Sequence, residues 1–131
     1  MTQEEKSILL QDLCARLPYG VVADCVGEYV KIKYVDPYSG MLYISRYTRT
    51  AWEIVECIKP YLRPMSSMTE EEIHDTIGFP RKISIGTLKG WVDYTISNPD
   101  FVDWLNAHHF DYRGLIEKGL ALKAPEGMYE Y

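Results

Sequence analysis

The chain has 131 residues, a formal net charge of −5 and an isoelectric point near 5.2, with 47% hydrophobic and 25% charged residues. That length suits one domain, 1–131, and a chain of this size buries roughly two-thirds of its unfolded surface, so neither a metal nor a disulfide is needed for folding. The acidic balance weighs against a general nucleic-acid binder, which needs a basic footprint to displace phosphate counterions, and no apolar run approaches the ~20 residues of a membrane span.

Residues 2–17 carry a helical period. Ile8, Leu9, Leu13 and Leu17 form one stripe, and Glu4, Glu5, Lys6 and Asp12 fill the other face. Thr2 and Glu5 have the spacing of a capping box, and Pro18 with Gly20 ends the helix. The opening "MTQEEKSILLQDLCARL" is too polar for a signal peptide. Cys14, Cys25 and Cys57 are odd in number and form no CxxC, which suits reduced thiols buried as small hydrophobes in a cytoplasmic protein.

From Val21 to Tyr47 the period changes to two. "VVADCV", "EYVKIKYV" and "MLYISRY" predict strands, and "DPYSG" at residues 36–40 predicts a type I turn closed by a glycine with positive φ. Pairing Val35 with Met41 places Val30, Ile32 and Tyr34 on one face with Leu42, Ile44 and Arg46. The opposite face then holds Tyr29, Lys31 and Lys33 against Tyr43, Ser45 and Tyr47. "TAWEIVECIKPYLRP" fits a helix through Ala51, Ile54, Val55 and Ile58, or a strand through Trp52, Ile54, Glu56 and Ile58. Pro60 favours the strand, ending at Ile58 before a tight turn at "KPYLRP".

Thr69 and Glu72 predict a capped helix over 70–77, stopped by Gly78 and Pro80. "KISIGTLKGWVDYTI" predicts one or two more strands. Asn98 and Pro99 start a helix with Phe101, Trp104, Leu105 and His108 on one stripe, and Asp111 caps a second short helix, 112–118, ended by Gly119. The tail 121–131 is expected to be exposed and poorly ordered, apart from docking by Met128 and Tyr129. The expected fold class is α+β: a small twisted antiparallel sheet with an N-terminal helix and C-terminal short helices, a small partly open barrel being the variant form.

The densest chemistry lies in "HHFDYRGLI", residues 108–116. His108 and His109 are adjacent, so on a helix they point about 100° apart and do not chelate one metal. A histidine bonded to a backbone carbonyl at a helix junction suits the position better. Asp111 serves as a cap. Tyr112 and Arg113 reach back to the preceding helix, towards an acid such as Asp103 or Glu117, or bind a partner's carboxylate. The block therefore reads as a seam between packed helices, with Tyr112 and Arg113 as a secondary interaction candidate. No GxSxG occurs, no cysteine has a charged neighbourhood that suggests a thiolate, and "GTLKG" lacks the order of a phosphate loop. No catalytic residue, metal site or cofactor is assigned.

The principal candidate is the Tyr/Lys face of the hairpin: Tyr29, Lys31, Lys33, Tyr43 and Tyr47. The chain carries 11 tyrosines, against 3 Phe and 3 Trp, and tyrosine suits half-buried positions and binding surfaces alike. Between Val30 and Arg49 stand four basic residues and one acid, a local charge of +3. Such a face can stack bases or dock a peptide.

Two stretches, "IKPYLRPMSSMTEEE" (58–72) and "WLNAHHFDYRGLIEKGLALKAPEGMYEY" (104–131), carry a resemblance. In them, about a third of the chain, the sequence resembles a group of small uncharacterised proteins of gut Bacteroidales genomes, many in phages and prophages. The resemblance implies the cytoplasm of an infected or lysogenic bacterium, an accessory role, and a strand before "KPYLRP" that ends a small sheet or barrel. It brings no established activity, so no catalytic residue carries over. The expected function is a non-enzymatic accessory protein, phage- or mobile-element-associated, that binds another macromolecule. A protein partner is expected, nucleic acid being disfavoured by net charge and no membrane being involved. The alternative is a nucleic-acid-binding small barrel using the Tyr/Lys face, and the third reading is a small enzyme or metalloprotein using His108, His109 or Cys57.

Overall fold

Thr2 starts the first helix, α1 (Gln3–Arg16), in the way its spacing to Glu5 predicts. The Thr2 hydroxyl accepts from the Glu5 N–H at 3.1 Å, and the Glu5 carboxylate accepts from the Thr2 N–H at 2.9 Å. First-turn N–H groups are thereby satisfied before the helix has repaid its nucleation cost. A computed structural model describes residues 1–46, 49–69, 72 and 99–129 of the chain.

Leu9, Leu10 and Leu13 of α1 are buried, and so is Asp12, which is 0% exposed rather than solvated on the polar face. Position 12 lies three residues from Leu9 and four from Ile8 and Arg16, inside the apolar stripe by helical geometry. Its charge is matched by Arg16, itself 0% exposed, one turn further on.

A 3₁₀ turn (Leu17–Tyr19) follows, released by Gly20 at φ 75°. The chain then enters β1 (Val22–Cys25), β2 (Glu28–Asp36) and β3 (Met41–Ser45), each paired antiparallel to the next. The predicted turn at 36–40 forms. Asp36 accepts from the Tyr38 N–H at 3.0 Å and the Ser39 hydroxyl at 2.8 Å, and the Gly40 N–H closes on the Asp36 carbonyl at 3.0 Å.

The expected register does not hold. Asp36, not Val35, pairs with Met41, and Val35 pairs with Leu42. The ladder shifts between Ile32 and Tyr34, so Lys33 is an extra residue. A bulge reverses the side-chain alternation beyond it. Val30 and Ile32 stay inside with Ile44, Val35 joins them, and Tyr34 moves to the outer face beside Tyr43.

β4 (Thr50–Ile54) is a strand, as expected, but the break comes at a 3₁₀ turn, Val55–Cys57, and "KPYLRP" is not a tight turn. Its first residues belong to β5 (Ile58–Leu62), in which Pro60 pairs with Ala23 of β1. Pro60 is tolerated because the next strand, β6 (Leu122–Lys123), is two residues long and pairs, in parallel, only with Tyr61 and Leu62.

The strand order is β4-β3-β2-β1-β5-β6. Four residues carry the chain from Ile54 to Ile58 and span at most about 14 Å. Four spacings on a flat sheet are about 19 Å. The sheet must therefore curl strongly, yet it does not close into a barrel. Its inner side buries Ala23, Cys25, Val30, Ile32, Leu42, Ile44, Ile58 and Leu62 against α1 and against Leu115, Leu120 and Ala121.

The C-terminal part packs as a second cluster of Met65, Met68, Phe101, Leu105, Phe110 and Tyr112. Its helix, α2 (Pro99–Ala107), ends in a Schellman motif. The Phe110 N–H reaches the Leu105 carbonyl at 2.9 Å, the His109 N–H reaches Asn106 at 3.1 Å, and His109 takes φ 63°. The helix expected over 112–118 is absent: those residues form turns around the Asp111 carboxylate, which accepts from the Leu115 and Ile116 N–H groups at 2.8 and 3.0 Å. Two glycines with positive φ, Gly114 and Gly119, break the helical run.

The tail does more than dock, since Leu122–Lys123 extends the sheet. The Tyr129 hydroxyl accepts from the Val22 N–H at 3.1 Å and donates to the Tyr61 carbonyl at 2.8 Å. Tyr129→Phe leaves both groups without this partner and is expected to lower stability by about 1–3 kcal/mol, read by urea denaturation. An unchanged midpoint would show that the tail does not hold the sheet.

The fold is α+β, a mostly antiparallel sheet with a helix before it and a short helix near the C-terminus. Cys25 is buried and Cys57 half-buried, but Cys14 is exposed, contrary to expectation, because it lies off the leucine stripe of α1. Tyr47, most of the helix expected over 70–77, the strands expected over 83–96 and the Asn98 cap lie outside the described residues. The capping box itself is present, with the Glu72 N–H on the Thr69 hydroxyl at 3.2 Å and the Thr69 N–H on the Glu72 carboxylate at 3.0 Å. Among the described residues, no helix is long and apolar enough to cross a membrane.

Candidate interaction face

Alternation along each strand sends one set of side chains into the core and the other outward. On the outer side Tyr29 stands opposite Asp24, Lys31 opposite Ser45, and Tyr34, Tyr43 and Trp52 follow one another across three neighbouring strands. Ring centroids are 5.8 Å apart for Tyr34–Tyr43 and 5.1 Å for Tyr43–Trp52, and Tyr29 lies 5.4 Å from Tyr61. Tilted pairs at such distances contribute about 0.5–1.5 kcal/mol each beyond their buried area. The Tyr43 hydroxyl also meets the Thr50 hydroxyl at 2.5 Å. Burial, then the neighbouring Tyr29 and Asp24, pushes the Tyr61 hydroxyl above its ordinary range, so it stays protonated at neutral pH.

These rings are held in place but not covered. Tyr29 is 64% exposed, Tyr34 63%, Trp52 52% and Ile54 44%. Of the residues singled out in the sequence, the structure brings Tyr29, Lys31 and Tyr43 to this face and leaves Lys33 exposed at the bulge. Tyr34, Trp52 and Tyr61 were not foreseen. The spacing of Val30, Ile32 and Val35, two and then three residues, carried the signal for the bulge that turns Tyr34 outward.

The local charge of +3 does not survive folding as a basic patch. Arg46 turns to the core side of the sheet, where it meets Glu28 at 2.5 Å and Glu53 at 2.7 Å. Its Nη2 also donates to the Cys25 sulfur at 3.4 Å. Burial pushes the Cys25 thiol up, with Arg46 opposing, so this cysteine is a packed thiol rather than a nucleophile.

"HHFDYRGLI" is a seam, but between α2, α1 and the stretch at Arg63 rather than between two successive helices. The Arg63 N–H donates to the His109 carbonyl at 2.7 Å and the Asp111 N–H to the Arg63 carbonyl at 2.8 Å, so the 58–72 and 104–131 stretches meet backbone to backbone. The Arg63 guanidinium lies 4.1 Å over the Phe110 ring. His108 Nδ1 meets the Trp104 carbonyl at 2.9 Å, the expected bond to a helix-end carbonyl. His109 is 4% exposed and stacks on Tyr129 at 3.6 Å. Burial, then the nearby Arg16, His108 and Arg63, lowers its pKa to about 4. Burial likewise raises Asp111, against the pull of its Ile116 and Leu115 N–H donors.

Tyr112 and Arg113 face inward. The Tyr112 hydroxyl donates to Asn106 at 3.0 Å, and Arg113 meets Asp12 at 2.6 Å rather than Asp103 or Glu117. Arg16 grips the same carboxylate through two nitrogens, at 2.8 and 3.1 Å, and the Phe110 carbonyl at 2.6 Å. Both guanidiniums lie over the Tyr112 ring, at 5.3 Å for Arg16 and 4.6 Å for Arg113. One buried aspartate thus ties α1 to the C-terminal block.

A groove of about 770 Å³ runs between Arg63, Glu72, Trp104, His108, Lys123 and Tyr129. Its strongest charges cancel, since Arg63 holds Glu72 in a bidentate pair at 2.7 and 2.8 Å. Among the described residues, no three His, Cys, Asp or Glu side chains are grouped as metal ligands. No protein-family model, curated protein or solved structure matches the chain.

Proposed function

We propose that the protein is a non-enzymatic accessory interaction protein that binds another protein through the outer face of its sheet. The observation behind this reading is the ordered but uncovered aromatic row, with Tyr29, Tyr34 and Trp52 each more than half exposed. Tyrosine and tryptophan fixed on strands offer contact area at little entropic cost and are enriched at protein interfaces. A cytoplasmic setting in a phage or prophage of gut Bacteroidales rests on the resemblance of the two sequence stretches alone.

Nucleic acid is the second reading, favoured by Lys31 and Lys33 beside the tyrosines. Arg46, spent on two carboxylates, weakens it. The test is affinity capture from nuclease-treated lysate, with titration of single-stranded oligonucleotides between 50 and 200 mM salt. One captured protein whose affinity falls at least tenfold with Tyr29→Ser/Tyr34→Ser, at an unchanged melting temperature, is the expected result. Oligonucleotide binding that weakens steeply with salt would replace this reading by the second.

A further inference from the structure

We propose that the chain forms a two-fold dimer by pairing β4 with the β4 of a second copy, antiparallel and centred on Trp52. The strand order places β4 at one end of the sheet. At the other end, β5 is capped by β6, the Ala124 N–H reaches the Leu62 carbonyl at 2.8 Å, and Arg63 is bridged to Phe110. Among the described residues, β4 is thus the longer edge strand, five residues against the two of β6. A contact that uses the same edge on both copies is isologous and closes at two.

The strand carries one edge guard, the inward Glu53, and Arg46 of its own chain neutralises it. Thr50–Ile54 contains no lysine and no proline, and its outward residues Trp52 and Ile54 are 52% and 44% exposed. Directly opposed residues in an antiparallel pair point to the same face, so the two-fold axis must pass midway between a residue and its own copy. An axis at Glu53 would set two carboxylates against each other, and an axis at Ala51 would pair only part of the strand. An axis at Trp52, the midpoint, pairs all five residues: Thr50 with Ile54, Ala51 with Glu53, and Trp52 with its copy.

Charge agrees with that register. Glu53 faces an alanine of the second copy and is held by Arg46 of its own chain at 2.7 Å, so no like charges are opposed. The row Tyr34–Tyr43–Trp52, which stops at the edge, would continue into its copy as six consecutive rings. This pairing uses the edge rather than Tyr29 and Tyr34 on the face, so its failure leaves the partner-binding proposal standing.

Sedimentation equilibrium of the full chain, at micromolar to hundred-micromolar concentrations, tests it. The expected result is twice the chain mass for wild type and the single mass for Trp52→Lys and Ile54→Lys, with melting temperatures showing that both fold. In a Cys14→Ser background, Trp52→Cys is expected to form an intermolecular disulfide under mild oxidation, whereas Ala51→Cys is not. A wild-type monomer throughout the range, a dimer unaffected by both lysine variants, or equal cross-linking at 51 and 52 would each overturn the proposal.

Discussion

Replacing Asp12 by alanine is expected to destabilise the protein by about 3–5 kcal/mol, the cost of breaking a buried ion pair on one side only. Asp12 is the anion for two guanidiniums, and Arg16, 0% exposed, would be left without a countercharge. A domain of this size has about 5–15 kcal/mol in total, so the loss is a large fraction of its stability. Arg113→Ala should cost less, about 1–3 kcal/mol, because Asp12 keeps Arg16. Asp12→Leu combined with Arg16→Met should recover part of the loss, since the fully buried Arg16 charge is removed with its partner and only Arg113, 21% exposed, loses its countercharge. Urea denaturation of the set measures the differences. An Asp12→Ala protein within 1 kcal/mol of wild type would contradict the buried network.

That network shows where sequence reasoning succeeds and where it stops. The Thr2–Glu5 box, the turn at Asp36–Gly40 and the Thr69–Glu72 box are local chemistry, and each forms as its residues predict. By charge alone Asp12 belongs on the solvent face. Yet Asp12 and Arg16 are one turn apart on the leucine stripe, which is the signature of a buried pair. The third member, Arg113, lies 101 residues away, a contact that only folding creates. The interaction face was legible as a tyrosine–lysine alternation, but its reach was not. The bulge that turns Tyr34 outward, and the neighbouring strand that brings Trp52, belong to tertiary pairing. The helix expected after Asp111 failed for a local reason: glycines at 114 and 119 take positive φ, and the Asp111 carboxylate serves a turn instead.

Acidification should weaken the fold through His109. Its pKa falls from the ordinary 6.5 to about 4 on folding, so between those values the unfolded chain binds the proton more strongly. The contribution of neutral His109 is fully present above about pH 6.5 and is lost as pH falls towards 4. A fall of that size amounts to about 3 kcal/mol over the window. Asp111, raised by burial, acts in the opposite sense, since its protonated form is favoured in the folded state at the acidic end. The difference between wild type and a His109 variant isolates the histidine. Asn suits the left-handed conformation at φ 63°, so His109→Asn should fold, lose the stacking on Tyr129, and show a flatter stability profile between pH 6.5 and 4. Parallel profiles for the two proteins would mean that His109 is not the buried neutral base described.

Under the proposed function, the exposed aromatic row binds the partner and the histidine–arginine block only holds the molecule together. Quantitative affinity capture from nuclease-treated bacterial lysate, with three baits at one temperature where all are folded, tests both halves together. Wild type and Arg113→Ala should retain the same protein in equal amount, and Tyr29→Ser/Tyr34→Ser should lose it. Retention by the tyrosine variant together with loss by Arg113→Ala would place the site in the block and contradict the account.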